Sequence, residues 1–411
     1  MTNKSVLIVN YYFPPFHRVG GRRWAKFAKY LFRSGWDVHV VAGDFPGSFS
    51  PWEKDLETYR DRIHRVTRTS LPLPYFKNVL PKNPVQKIRW KLSKWIFESF
   101  TKKNYKGDYI DPSYLDGPAF AVATQKVLKL NPQISIVVVS VGPYYYAKDV
   151  LKLKKAFPKV SFWLDYRDVW SIREGLTTKQ YRELLDCQAE LNQMTDVILS
   201  VNDTMSKDLS TRYKKPTFTI PHTIDNDDFE GLDDLKPNPK KLKFVYGGDL
   251  YIGFEAKIIL LNDLLEYLHS CGFDVQAIVY ADKRKHPHQK WSHVQFQEPL
   301  MLSDFFEAVK ESDFSVILRG SSKEHQFSTK VFELIKLGRP ILIVDDHTPE
   351  LDFIEENKLG LGLTPESAIP QLADKIIEQK LNKGLPVAYN LQPHTIDHTC
   401  KALIDLFSKE F

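Results

Sequence analysis

Four short stretches of this sequence gather residue types that could hold an anion, grip a sugar hydroxyl or move a proton. In Phe327-Ser328-Thr329-Lys330-Val331-Phe332-Glu333-Leu334, small hydroxyl residues open an apolar helical run. The first amides of such a helix suit an anion, and Lys330 adds a full positive charge. Glu333 stands three places on, where its carboxylate could accept two vicinal hydroxyls such as a ribose pair. The same spacing also fits a capping box, in which Ser or Thr and Glu satisfy only backbone amides. Tyr246-Gly247-Gly248-Asp249 follows a strand pattern, and paired glycines there let a phosphate approach the backbone. The loop Phe13 to Gly21 ends in Gly20-Gly21 at a helix start and runs into Arg22 and Arg23. For both glycine loops a plain structural turn is the alternative. The fourth stretch is Asp165-Tyr166-Arg167-Asp168-Val169-Trp170-Ser171, with two acids, an arginine and a tryptophan at a strand end. Those groups either form a structural Arg–Asp pair or face a substrate.

Other clusters carry less. Asp225-Asn226-Asp227-Asp228 reads as a turn and helix cap. His286-Pro287-His288 has no cysteine or carboxylate at ligand spacing and reads as a surface loop. Asp345-Asp346-His347 follows a strand, where it either lines a ligand cleft or is a plain turn. Three cysteines, Cys187, Cys271 and Cys400, have neither metal nor redox spacing. No Walker A sequence is present, which argues against a P-loop ATPase. The first strand is followed by Pro-Pro and Gly-Gly, not by the G-x-G-x-x-G turn of a dinucleotide oxidoreductase.

These loops need elements to position them, and the pattern supplies alternating strands and helices. Ser5 to Asn10, Asp37 to Ala42, Ile134 to Ser140, Ser161 to Asp165 and Asp196 to Val201 are short apolar runs fit for buried parallel strands. After Glu230 to Lys241, an acidic then Pro-rich and basic linker, the alternation restarts. Its strands are Leu242 to Tyr246, Val275 to Tyr280, Phe314 to Leu318 and Pro340 to Val344. With 411 residues, 43% of them hydrophobic and 26% charged, the chain suits two α/β domains, each a doubly wound Rossmann-like sheet. The expected division is 1–235, 236–394 and a C-terminal helix over 395–411. In a parallel sheet ligands bind beyond the carboxyl ends of the strands, so the four stretches predict a nucleotide-linked substrate in an interdomain cleft.

No run approaches the roughly 18 to 20 apolar residues of a membrane span, and the N-terminus carries no signal-peptide pattern. The chain is therefore expected to be cytoplasmic. Net charge is +6, but between Lys77 and Lys106 nine basic residues meet one acid, Glu98. This basic insert, about 74–107, holds a helical pattern with Val85, Ile88, Leu92 and Trp95 on one face. Residues 85–103 are expected either to lie on the inner face of a membrane or to pack on the first domain. Nucleic acid is not an expected partner.

In order along the chain, YYFPP with Gly20-Gly21 and RRWAKFAKYLFRSGWDVHVV, then SVGPYYYA (140–147), WLDYRDVWS (163–171), DVILSVNDTM (196–205), IPHTIDNDDF (220–229), FVYGGDLY (244–251) and STKVFELIKLGRPILIV (328–344) form seven landmarks. Together they resemble the retaining GT-B glycosyltransferases of family 4, the group 1 glycosyl transferases of bacterial surface-polysaccharide synthesis. The resemblance implies two Rossmann-like domains facing across a cleft. It implies a UDP- or GDP-linked sugar donor, a glycan or lipid-linked acceptor, no cofactor and no bound metal. Lys330 with the amides near Ser328 and Thr329 would hold the donor diphosphate, Gly248 would approach it, and Glu333 would bind the ribose. Gly20 and Gly21 would lie beneath sugar and diphosphate, supported by Arg23. Arg167 and Asp168 would act with Lys330 in catalysis, with Trp170 in support.

The sequence departs from that family at His325, where many members have an acid, near Phe254, where an expected base is missing and Lys257 is its candidate substitute, and at Ala147 or Lys148 in place of a histidine. A binding scaffold without turnover and a nucleotide-sugar epimerase are the rival expectations.

Overall fold

In the computed structural model the described residues are 4–16, 19–45, 50–67, 83–104, 112–167, 178–232, 236–238, 240–250, 254–282, 291–319, 330–381 and 388–409. The chain forms two compact units, Met1–Pro221 with Cys400–Phe411, and His222–Thr399. The division falls ahead of the 230–241 stretch. Ile224 already belongs to the second unit, where it bridges Thr395 in parallel and packs in the core.

The first unit contains β1 (Ser5–Asn10), α1 (Arg22–Arg33), β2 (Asp37–Gly43), β3 (Ile63–Val66), α2 (Pro84–Asn104), α3 (Gly117–Leu130) and β4 (Ile136–Val141). It continues with α4 (Tyr145–Leu151), β5 (Ser161–Tyr166), α5 (Thr178–Met194), β6 (Val197–Ser200), α6 (Asp203–Tyr213) and β7 (Thr217–Thr219). Its sheet runs in the order β3-β2-β1-β4-β5-β6-β7, and every pairing is parallel. β1 and β4 are buried along their whole length, because helices cover both faces of a parallel sheet and leave no polar side. Each Val, Leu or Ile side chain so buried contributes about 1.5–3 kcal/mol.

The second unit contains β8 (Leu242–Gly247), α7 (Phe254–Ser270), β9 (Val275–Tyr280), β10 (Val294–Gln297), α8 (Leu302–Lys310) and β11 (Phe314–Leu318). After these come α9 (Val331–Lys336), β12 (Ile341–Val344), α10 (Pro349–Glu356), β13 (Gly360–Leu363) and α11 (Ile369–Leu381), and α12 (Ile396–Lys409) begins in this unit. The strand order is β10-β9-β8-β11-β12-β13, again all parallel. Period-2 alternation feeds two cores. Phe244, Tyr246, Leu342 and Val344 enter one cluster, while Val245, Ile341 and Ile343 enter the other. Ile396, Cys400, Leu403 and Phe407 make the buried stripe of α12. From Cys400 on, the helix belongs to the first unit, where the Phe407 ring lies 5.3 Å from Trp36 and 5.0 Å from Trp163.

Both sheets carry a reversal of strand order, between β1 and β4 in one and between β8 and β11 in the other. At such a point the loops leaving the carboxyl ends diverge and open a crevice. Among the described residues, no helix is long and apolar enough to cross a membrane.

Candidate functional site

In the first unit the reversal point is lined by the loop after β1. It returns through a short turn, Val19–Gly21, into α1. A Cβ on Gly20 would lie 2.5 Å from Arg167 Nη1, and one on Gly21 would lie 3.3 Å from the Phe13 backbone. Both glycines are therefore set by close approach, one by a cation and one by the loop's own chain. The first turn of α1 holds no acid, and no side chain caps it. Arg22 and Arg23 stand there instead, against the dipole preference.

Burial and hydrogen bonding account for Arg23. Its Nε and Nη2 donate to Asp165 Oδ1 at 3.3 and 3.1 Å, Nη1 to the Pro221 carbonyl at 3.0 Å, and Nη2 also to the Ile220 carbonyl at 2.7 Å. Asp165 is fully buried, and its Oδ2 accepts from Trp24 Nε1 at 2.7 Å and from Ser140 Oγ at 3.1 Å. Of the two acids in the Asp165–Asp168 stretch, Asp165 is thus the partner in a structural pair. It ties β5 to α1, to the end of β4 and to the chain after β7.

Arg167 differs from Arg23. It leaves the carboxyl end of β5, and its Nε donates to the Val141 carbonyl at 3.3 Å and its Nη2 to the Gly142 carbonyl. It is buried, with no carboxylate in ion-pair range among the described residues, and its Nη1 edge faces Gly20. Carbonyls satisfy its donors without cancelling its charge. Asp168 and Trp170 lie outside the described residues.

In the second unit Lys330 occupies the N-cap position of α9. Its Nζ donates to the Gly247 carbonyl, and a Cβ on Gly248 would stand 2.1 Å from it. The ammonium also lies 5.3 Å from the centre of the Tyr246 ring. Burial strips it of water and lowers its pKa from the ordinary 10.5, against the opposing pull of Glu333, Asp249 and Glu350. Glu333 sits in the first turn of α9 and is buried. Among the described residues no side chain caps α9. At six residues the helix lends little dipole, and Lys330 itself is the main positive charge. Ser328, Thr329 and His325 lie outside the described residues. Lys330, Gly248 and Glu333 are accordingly brought together, as Gly20 and Arg167 are in the first unit.

The remaining candidates resolve locally. Lys257, buried in α7, pairs with Asp346 and so offers no uncommitted charge. Asp345 accepts from the Asp346 and Thr348 amides at 2.6 and 3.2 Å, which fixes the turn after β12. His347 is exposed and pairs with Glu366 at 3.1 Å. Asp225 caps its short helix by accepting from the Asp227 amide at 3.1 Å. His286 and His288 lie outside the described residues. Sequence reasoning passed over Arg319, which follows β11 at the reversal point and forms a buried 2.7 Å ion pair with Glu350 of α10. Its signal was a base placed directly after a buried strand, in VILRG. Tyr246, named in the glycine stretch without a role of its own, donates its hydroxyl to the Asp249 carbonyl at 2.8 Å and flanks the ammonium with its ring.

No family model and no curated protein matches the sequence. Solved structures do match its fold over the whole chain. The N-terminal domain of a Candida albicans trehalose-6-phosphate phosphatase superposes with a TM-score of 0.58 at 13% identity, covering 99% of this chain and 97% of that one. The catalytic domain of starch synthase IV from Arabidopsis thaliana, bound to ADP and acarbose, gives 0.55 at 11%, covering 100% and 98%. MnaA from S. aureus, solved with UDP, gives 0.52 at 13%, covering 99% and 96%. Two parallel-sheet Rossmann-like domains make up the GT-B fold, and this chain has that fold.

Proposed function

We propose that this GT-B chain is a glycosyltransferase that takes a sugar from a nucleoside-diphosphate donor and passes it to a glycan or lipid-linked acceptor. The observation that carries the reading is Lys330: a desolvated ammonium resting on the Gly247 carbonyl, beside a glycine that leaves its approach open. An incoming diphosphate would restore the solvation that burial removed. The UDP and ADP carried by two proteins of the same fold support a nucleoside diphosphate here.

In this reading Glu333 holds the ribose hydroxyls, and Ser328, Thr329, Gly248 and Lys330 hold the diphosphate. The first unit contributes Gly20, Gly21 and Arg167 toward the sugar, and Asp168 toward the acceptor. The bond from the anomeric carbon to the diphosphate oxygen breaks while the acceptor hydroxyl oxygen bonds to that carbon with retention, its proton passing to the departing diphosphate. Positive charge at the leaving group lowers the barrier. The finer expectations, a hexosyl donor, no metal requirement and a role in surface-polysaccharide synthesis at the inner face of the membrane, belong to the same proposal and rest on the family resemblance.

A thermal-shift series with UDP, GDP, ADP, TDP and CMP tests the donor site. One diphosphate is expected to stabilise the protein by about 2.7 kcal/mol at a hundredfold excess over its dissociation constant, and Glu333→Ala to remove that response. No response to any of them would move the chain to a non-catalytic scaffold, and conversion of a donor without acceptor would move it to an epimerase. Gly248→Ala separates the lysine from the rest of the site. Its methyl group would stand 2.1 Å from Lys330 Nζ, so the flexible ammonium must leave the Gly247 carbonyl. Donor KM is expected to rise about tenfold, the worth of one charge-assisted hydrogen bond, with the melting temperature nearly unchanged. An unaltered KM would show that the ammonium does not meet the donor.

A further inference from the structure

The helix α2 is built inside out. Its Ser93 is only 2% exposed, and Trp90 and Lys94, on the same side, are half-buried. That is the side that meets protein. On the other side Val85, Ile88, Leu92 and Trp95 are 61, 67, 54 and 63% exposed, with Ile96 at 39%. At 3.6 residues per turn these five fall within an arc of about 100°, centred nearly opposite the mean direction of Ser93, Trp90 and Lys94. A helix of a globular protein normally turns such a stripe inward. Lys87 and Lys91, both exposed, border the stripe on one flank and exposed Arg89 borders it on the other. The sequence around them is basic throughout, nine bases to one acid from Lys77 to Lys106.

We propose that α2 is an interfacial anchor that docks the chain on an anionic bilayer surface. The apolar arc would enter the headgroup boundary, the Trp95 ring would sit at headgroup level, and the flanking Lys87, Arg89 and Lys91 would meet lipid phosphates. Charge decides between this occupant and a second copy of the chain. A self-complementary pairing of two α2 stripes would set these bases against their own counterparts, whereas a bilayer of anionic lipid offers the opposite sign. As an account of where a lipid-linked acceptor is met, the anchor rests on the transferase reading. As a property of the surface, it stands without it.

Vesicle co-sedimentation of the full chain tests it, with phosphatidylcholine vesicles beside vesicles one-third phosphatidylglycerol. Binding to the anionic vesicles is expected to exceed the neutral ones by about tenfold, and to weaken between about 0.05 M and about 0.5 M salt. Leu92→Glu with Trp95→Glu is expected to abolish binding, and Lys87→Glu with Lys91→Glu to cancel the anionic preference. All four positions are exposed, so circular dichroism and melting should match the parent. Absence of binding, binding indifferent to the Leu92 and Trp95 changes, or a dimer in ultracentrifugation that those changes dissolve would overturn the anchor. The diphosphate response is measured without lipid, so a failed donor site and a failed anchor give different results.

Discussion

Lys330→Met is expected to lower donor kcat/KM by about 100- to 1000-fold, the usual loss when one charge-stabilising donor is removed from a reacting centre, and to leave the protein at least as stable at neutral pH. The two halves of that result have one cause. The Lys330 ammonium donates to a carbonyl, Gly247, and burial lowers its pKa from 10.5. An amine whose pKa falls on folding holds its proton more tightly in the unfolded chain. Below the folded pKa it therefore costs stability, and that cost is relieved as pH rises through the folded pKa toward 10.5. Methionine removes the charge and the cost together. In the parent, kcat/KM is expected to fall on the alkaline side with a midpoint below 10.5, because the neutral amine cannot balance a diphosphate. The corresponding limb in kcat should lie at higher pH, since bound diphosphate favours the protonated form. Rate profiles of parent and variant, with melting curves across the same pH range, check both halves. An alkaline midpoint at the ordinary lysine value, or a variant that loses stability along with rate, would remove Lys330 from the donor site.

Central strands were legible from the sequence and edge strands were not. SVLIVN, ISIVVVS and FSVIL are continuous apolar runs because their strands are covered on both faces by helices; β1 and β11 coincide with theirs, and β4 runs one residue past its own. The four strands the patterns did not announce are β3 (IHRV), β7 (TFT), β10 (VQFQ) and β13 (GLGL), and each ends a sheet. An edge strand is short and part-solvated, so it carries neither an apolar run nor strict alternation. Gly360 and Gly362 in β13 are of the type that favours turns, yet a Cβ at Gly360 would lie 1.9 Å from the Ile341 carbonyl oxygen. There a glycine admits a close strand neighbour instead of ending a strand. The exposed stripe of α2 was legible as a face, but its direction needed the burial of Ser93 and Trp90.

Much the same holds for the site. Lys330, Glu333 and the glycine loops stood out because strand ends concentrate chemistry in parallel sheets. Arg319 with Glu350 did not, since the pair joins residues far apart in sequence. Nor could the spacing of Asp165 and Asp168 say which acid is scaffold, because that depends on Arg23, Trp24 and Ser140 converging from other elements.

Those two acids should separate cleanly on substitution. Asp165→Ala is expected to cost about 3–5 kcal/mol, because it leaves the buried Arg23 guanidinium without its counter-charge. It also orphans the Trp24 indole N–H and the Ser140 hydroxyl, which donate to Oδ2 at 2.7 and 3.1 Å. Removing Arg23 as well should restore part of the loss, since Arg23→Met with Asp165→Leu replaces a buried ion pair by apolar volume. The shortfall from additivity in that double-mutant cycle measures the pair. Asp168→Ala should do the reverse. If it faces the acceptor as proposed, turnover falls by about 100-fold or more, the range for a positioned acid or base, while the urea midpoint stays at the parent value. Urea unfolding and initial rates on the parent, the two alanine variants, Arg23→Met, Asp165→Leu and their double variant decide it. Equal destabilisation by both alanines would make Asp168 a second scaffold acid and leave Arg167 as the charged residue of this loop that remains for chemistry. A stable Asp165→Ala protein would mean that the carbonyls of Ile220 and Pro221, at 2.7 and 3.0 Å, are enough to hold Arg23 in place.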